Sequence, residues 1–78
     1  MVIKTADEYG EEDFLNGRTQ CLFVLKADRD AWHRRWMHMY HDTVFNALLN
    51  NDIAALEIMT RHLREYAKDN HDAPDVIS

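Results

Sequence analysis

The sequence predicts an all-α fold, a small helical bundle with a short N-terminal helix, one long central helix and one C-terminal amphipathic helix. Three observations carry this. Residues 19–50 contain neither glycine nor proline and are rich in helix-forming residues. Ile53, Leu56, Met59, Leu63 and Tyr66 recur at three- and four-residue spacing, the period of one helix face. Thr5 is followed three residues later by Glu8, the pattern of a capping box at a helix start.

In chain order, the first helix is placed from Thr5, with Tyr9, Phe14 and Leu15 on its buried side. Asn16-Gly17 is its natural stop, because glycine enters the left-handed conformation of a C-cap without strain. Gly10 in its middle weakens it by about 1 kcal/mol relative to alanine, so the element is expected to be short or frayed.

Residues 19–50 read as one long helix or two collinear ones. At about 100° per residue, Leu22, Leu25, Trp32, Trp36, Met39, Tyr40, Val44 and Ala47 fall within an arc of roughly 140°, a core stripe. Phe23, Phe45, Leu48 and Leu49 fall mostly on the opposite side, which is more apolar surface than one buried face needs. Two covers are therefore expected: the chain's own shorter helices, and a second copy in a dimeric bundle. An alternative remains open for the start of this region. Residues 19–25 also make a passable buried strand, with residues 2–4 to pair with it in a two-stranded ribbon, giving an α+β fold.

Asn50-Asn51-Asp52 supplies a turn and an N-cap for the third helix, whose later half carries Arg61, Arg64 and Lys68, suited to a helix C-terminus. It is expected to end near Asp69 or Asn70. Residues 1–70 then form a single domain, and residues 71–78, polar around Pro74, a mobile tail.

A chain of 78 residues has room for one domain. A core that small rarely supplies more than about 3 to 5 kcal/mol, and the lone Cys21 forbids an intrachain disulfide, which directs attention to self-association or metal. The longest apolar run, residues 21–25, is far below the roughly 18 residues of a membrane span or the core of a signal peptide, so a cytoplasmic protein without membrane contact is expected.

Net charge is −5 and unevenly spread. Lys4 against Asp7, Glu8, Glu11, Glu12 and Asp13 makes residues 1–17 acidic, Arg18, Lys26, Arg29, Arg34 and Arg35 against Asp28 and Asp30 make residues 18–41 basic, and residues 42–78 are acidic again. Acidic arms folding beside the basic middle explain this pattern. The negative total opposes direct nucleic-acid binding, which rewards positive charge.

The densest chemistry lies in residues 32–42. His33, Met37 and His41 follow at i, i+4 spacing, and His38 and His41 are three apart, so His33, His38 and His41 are the ligands of any metal site. A closed zinc site needs four ligands and no Cys-x-x-Cys or His-Glu-x-x-His pattern is present, so no metal or other cofactor is expected. Trp32 and Trp36 are one turn apart on the core stripe and read as core. Arg34, Arg35, His38 and Phe45 read as a protein-binding face, because arginine and aromatic residues anchor interfaces. Glu11, Glu12 and Asp13 are the candidate acidic contacts. Catalysis is not expected. Cys21 sits in an apolar run, where a thiol is usually inert, and the two glycines form no phosphate loop.

The expectation is a non-catalytic helical protein-protein interaction module that regulates or inhibits a macromolecular partner, as a homodimer. Two other readings stand beside it: a metal-binding regulator built on the histidines, and an acidic nucleic-acid mimic that inhibits a nucleic-acid-binding protein, of the mobile-element kind.

Overall fold

A computed structural model describes residues 4–70, which form α1 (Ala6–Leu15), α2 (Lys26–Leu49) and α3 (Ile53–Asp69). No strand occurs among the described residues, so the ribbon alternative is unsupported. Val2, Ile3 and the tail of residues 71–78 lie outside them.

The α1 helix starts at its capping box. The Thr5 hydroxyl accepts from the Glu8 amide at 3.2 Å, and the Glu8 carboxylate accepts from the Thr5 amide at 3.1 Å. It ends at Asn16, with Gly17 in the left-handed region at φ 78°. Its buried face is Ala6, Gly10 and Phe14, while Tyr9 and Leu15, expected inside, are exposed. Gly10 explains the difference. A Cβ there would lie 2.7 Å from the Trp32 carbonyl oxygen and 3.1 Å from the Arg35 Cβ, so this is where the α1 and α2 backbones cross. With small residues at positions 6 and 10, the side of α1 that carries them can approach α2 closely, and Phe14, one turn further, fills the space beyond.

The α2 helix begins at Lys26, not at Thr19. Residues 18–25 are neither helix nor strand, because their backbone groups bond elsewhere. The Trp36 indole N–H donates to the Arg18 carbonyl (2.9 Å), the Asn70 amide to the Thr19 carbonyl (2.7 Å), and the Cys21 N–H to the Asn70 side-chain oxygen (3.4 Å). The buried Thr19 hydroxyl donates to Asp69. The segment is thus strapped between the end of α1 and the end of α3. Leu22 and Leu25, expected on the core stripe, are exposed, while Phe23 is half-buried against Tyr9 at 5.8 Å.

The core is Phe14, Trp32, Trp36 and Met59, with both indoles at 0% exposure. Tyr66 of α3 stacks on Trp36, centroids 4.3 Å apart, and Phe14 meets Trp36 edge-on at 5.2 Å. Each buried indole N–H has an acceptor, as burial demands: Asp13 for Trp32 (2.9 Å) and the Arg18 carbonyl for Trp36.

The third helix is capped by Asp52, whose carboxylate accepts from the Ala55 amide at 3.1 Å, after a turn in which Asn51 takes φ 53°. It runs back along α2, burying Met59 and half-burying Leu56, Leu63 and Tyr66, but Ile53 is exposed.

The principal extents are 38 × 37 × 17 Å. With a helix about 10 Å across including side chains, the thin dimension holds no more than two layers. The 10 residues of α1 cover about 15 Å of an α2 helix that is 24 residues, or about 36 Å, long. Its contacts, Gly10 at Trp32 and Phe14 at Trp36, lie on the N-terminal half of α2.

Candidate interaction surface

Among the described residues, α2 beyond Tyr40 has only α3 beside it. Ala47 points into that contact and is buried, so its neighbours Phe45, Leu48 and Leu49 are turned outward at 61%, 60% and 68% exposure. Ile53 and Ile58 at the start of α3 add 58% and 46%. Phe45 and Leu48 at the end of α2 therefore present a common apolar strip, the kind of patch that marks an interaction site. A shallow groove of about 540 Å³ runs along it, lined by Tyr40, His41, Val44, Phe45 and Leu48.

The outer face of α2 has an order that the list of apolar residues hides. Arg34, His38, His41, Phe45 and Leu48 are all exposed and follow at spacings of four, three, four and three. Alternating steps of that kind make the seam of a coiled coil, where one helix packs along another. The seam is polar at its N-terminal end and apolar at its C-terminal end.

The sequence-predicted site residues divide between two places. Arg34, His38 and Phe45 share the outer seam. Arg35 lies on the α1 side instead, donating from its guanidinium to Asp7 at 2.9 and 3.1 Å and lying 4.0 Å from Glu11. Asp13 accepts the Trp32 indole and stands 3.6 Å from Arg18, and Glu12 pairs with Lys4. Asp7, Glu11 and Asp13 thus tie α1 to α2, while the Glu12 pair stays within the N-terminal segment. Leu48 and Leu49, noted in the sequence as surplus apolar residues, belong to the surface, as do Ile53 and Ile58. The four-three spacing was the available signal for Leu48.

The histidines do not converge. His33 turns inward, its Nδ1 2.6 Å from the Tyr66 hydroxyl, while His38 and His41 face outward. Among the described residues no three His, Cys, Asp or Glu side chains are placed to hold one ion. His62 Nδ1 is buried without a hydrogen-bond partner among the described residues, its ring edge-on to Phe14 at 6.3 Å. Cys21 is half-buried, and burial pushes its thiol above the ordinary value of 9.0, against the opposing pull of the Phe23 backbone bond and Arg29. An activated nucleophile needs the opposite shift.

Among the described residues no helix is long and apolar enough to cross a membrane. No protein family, curated protein or solved structure matches the chain significantly.

Proposed function

We propose that this chain is a non-catalytic helical interaction module, a cytoplasmic homodimer that binds a macromolecular partner and thereby regulates or inhibits it. The observation that carries the reading is the exposed apolar end of the α2–α3 hairpin, continuous with the seam of Arg34, His38, His41 and Phe45. Leaving five large apolar side chains about half or more exposed is unfavourable in water, and covering them contributes on the order of 1 kcal/mol each. Arginine and phenylalanine at the same surface supply the anchor types that interfaces favour. The unpaired Cys21 suits a reducing compartment. The acidic-mimic reading has less support, since Asp7, Glu12 and Asp13 are engaged within the fold. The metal reading lacks a three-ligand cluster among the described residues.

Site-specific photo-cross-linking in the native host tests the proposal. A photoreactive residue at Phe45 is expected to trap a protein adduct that one at Lys68, exposed on the far half of α3, does not. Indistinguishable adducts from the two positions would remove the basis for the reading.

A further inference from the structure

We infer that Asn16 is the chain's site of spontaneous backbone modification: the Gly17 nitrogen cyclises onto it, and the turn that ends α1 sets how fast. The inference is independent of the interaction reading.

The chemistry needs only water. The Gly17 amide nitrogen gives up its proton to hydroxide and bonds to Asn16 Cγ, the Cγ–Nδ2 bond breaks, and Nδ2 takes a proton from water and leaves as ammonia. Water then opens the five-membered succinimide. Addition at Cγ leaves aspartate. Addition at the Asn16 main-chain carbonyl leaves isoaspartate, in which the backbone runs through the former side chain and is longer by one methylene. Nothing is oxidised or reduced.

Such a ring closes where the carboxamide is free to turn and the following nitrogen is not crowded. Five asparagines compete, and Asn16 alone meets both conditions. Its side chain is exposed and makes no hydrogen bond among the described residues. Gly17 has no Cβ, and nothing lies within 4 Å of where one would stand. The Asn70 carboxamide is fixed instead, donating to the Thr19 and Tyr66 carbonyls at 2.7 and 2.8 Å and accepting from the Cys21 N–H at 3.4 Å. Asn46 lies inside α2, whose hydrogen-bonded backbone keeps the following nitrogen from turning. Asn50 and Asn51 are exposed, but the side chains of Asn51 and Asp52 crowd the nitrogens that would attack them, and the Asp52 N–H is held by the Ala47 carbonyl at 2.8 Å.

Folding restrains the reaction at Asn16 without abolishing it. The Gly17 N–H donates to the Phe14 carbonyl at 3.1 Å and the Arg18 N–H to the Asp13 carbonyl at 2.7 Å, the paired bonds of a Schellman turn. Cyclisation requires Asn16 to rotate away from its ψ of 2° and Gly17 to release Phe14. The reaction therefore runs through opening of the last turn of α1, a local event that costs less than global unfolding.

The product acts on the core. Arg18, two residues on, supplies the carbonyl that accepts the fully buried Trp36 indole at 2.9 Å. An extra methylene between Asn16 and Gly17 displaces that carbonyl and strands a buried donor. The new carboxylate also stands at the negative end of the α1 dipole. Modification thus loosens the junction between α1 and residues 18–25.

The test is prolonged incubation of the purified chain at mildly alkaline pH, with peptide mass spectrometry that separates aspartyl from isoaspartyl products. Replacement of NH2 by OH is expected at Asn16 ahead of every other asparagine. In urea-unfolded chain Asn16 is expected to react at least threefold faster. Thr5→Ala, which removes the cap of α1, is expected to bring the folded rate toward the unfolded one while leaving the unfolded rate unchanged. The isoaspartyl chain, separated by ion exchange, is expected to show red-shifted tryptophan emission and a lower unfolding midpoint than Asn16→Asp, which carries the charge without the methylene. No conversion at Asn16, or conversion elsewhere first, overturns the inference. So does an Asn16 that reacts equally fast folded and unfolded, or an isoaspartyl chain whose emission matches that of Asn16→Asp.

Discussion

Gly10 lowers the intrinsic helix propensity of α1 by about 1 kcal/mol, yet it stands at the closest approach of two helices. Gly10→Ala would recover propensity while driving a methyl group to 2.7 Å from a backbone oxygen that no side-chain rotation can move. The second effect wins. A net loss of about 1 to 3 kcal/mol is expected from chemical denaturation, the usual range for overpacking. Gly17→Ala makes the contrasting case, because nothing lies within 4 Å of its Cβ and only the positive φ opposes it, at about 1 kcal/mol. Trp32 fluorescence should therefore shift in the first variant and not in the second. Asp13 matters for a different reason, as the acceptor for a fully buried indole. Asp13→Ala strands that N–H and should cost about 1 to 3 kcal/mol, whereas Asp13→Asn keeps an acceptor and should cost less. Equal losses would mean that the hydrogen bond is not what Asp13 contributes. Cys21 gives a pH signature. Its folded-state thiol holds the proton more tightly than an unfolded one, so the associated stability is complete below about pH 9 and declines as pH rises through the folded value. Alkylation of the native chain should accordingly reach half its maximal rate above pH 9.0, and urea-unfolded chain at a lower pH.

The three helices differ in how far local sequence determines them. Both α1 and α3 begin where Thr5-Glu8 and Asp52 say they should, since a cap is settled within four residues. The start of α2 was not legible. Residues 19–25 have no local signal against helix, and what prevents it is the set of partners that Trp36 and Asn70 offer to Arg18, Thr19 and Cys21, the latter two about fifty positions from Asn70. The same reason divides the candidate site. Arg34 and Arg35 are adjacent and chemically identical, and only the crossing of α1 at Gly10 decides that Arg35 is drawn to Asp7 while Arg34 stays on the outer seam. Phe45 was legible because an apolar residue opposite the core stripe is conspicuous in any helical projection. Asn70 is the element-scale test of this account. It ends α3, donates to the Thr19 and Tyr66 carbonyls and accepts from the Cys21 amide. Asn70→Ala should lower stability by about 1 to 3 kcal/mol and speed hydrogen exchange at Cys21 while leaving the α1 cap intact. A variant in which the Cys21 amide exchanges at the wild-type rate would show that the strap is held by something else.

At the scale of the molecule, burial is lopsided. Both fully buried tryptophans, their indole acceptors and the Gly10 crossing lie where α1 meets the first half of α2, while the other half of the hairpin exposes Phe45, Leu48, Leu49 and Ile53. A chain of this size buries only about 60% of its unfolded surface, so it cannot spread a core evenly along a 24-residue helix. Local stability should follow the packing, with opening free energies lowest where few buried contacts cross between elements. Hydrogen exchange at micromolar dilution should show the slowest amides around Trp32 and Trp36 and much faster ones through residues 43–49 and 53–58. Self-association through this end, as proposed, would act on this gradient selectively, because a ligand bound to the native state stabilises whatever must be ordered to bind it. Raising the protein concentration about a hundredfold should slow exchange at the hairpin end while leaving the amides around Trp32 nearly unchanged, as these already require global unfolding. Uniform protection at dilution would mean that the two-helix end stands without a cover, and the physical need for a second copy would be gone.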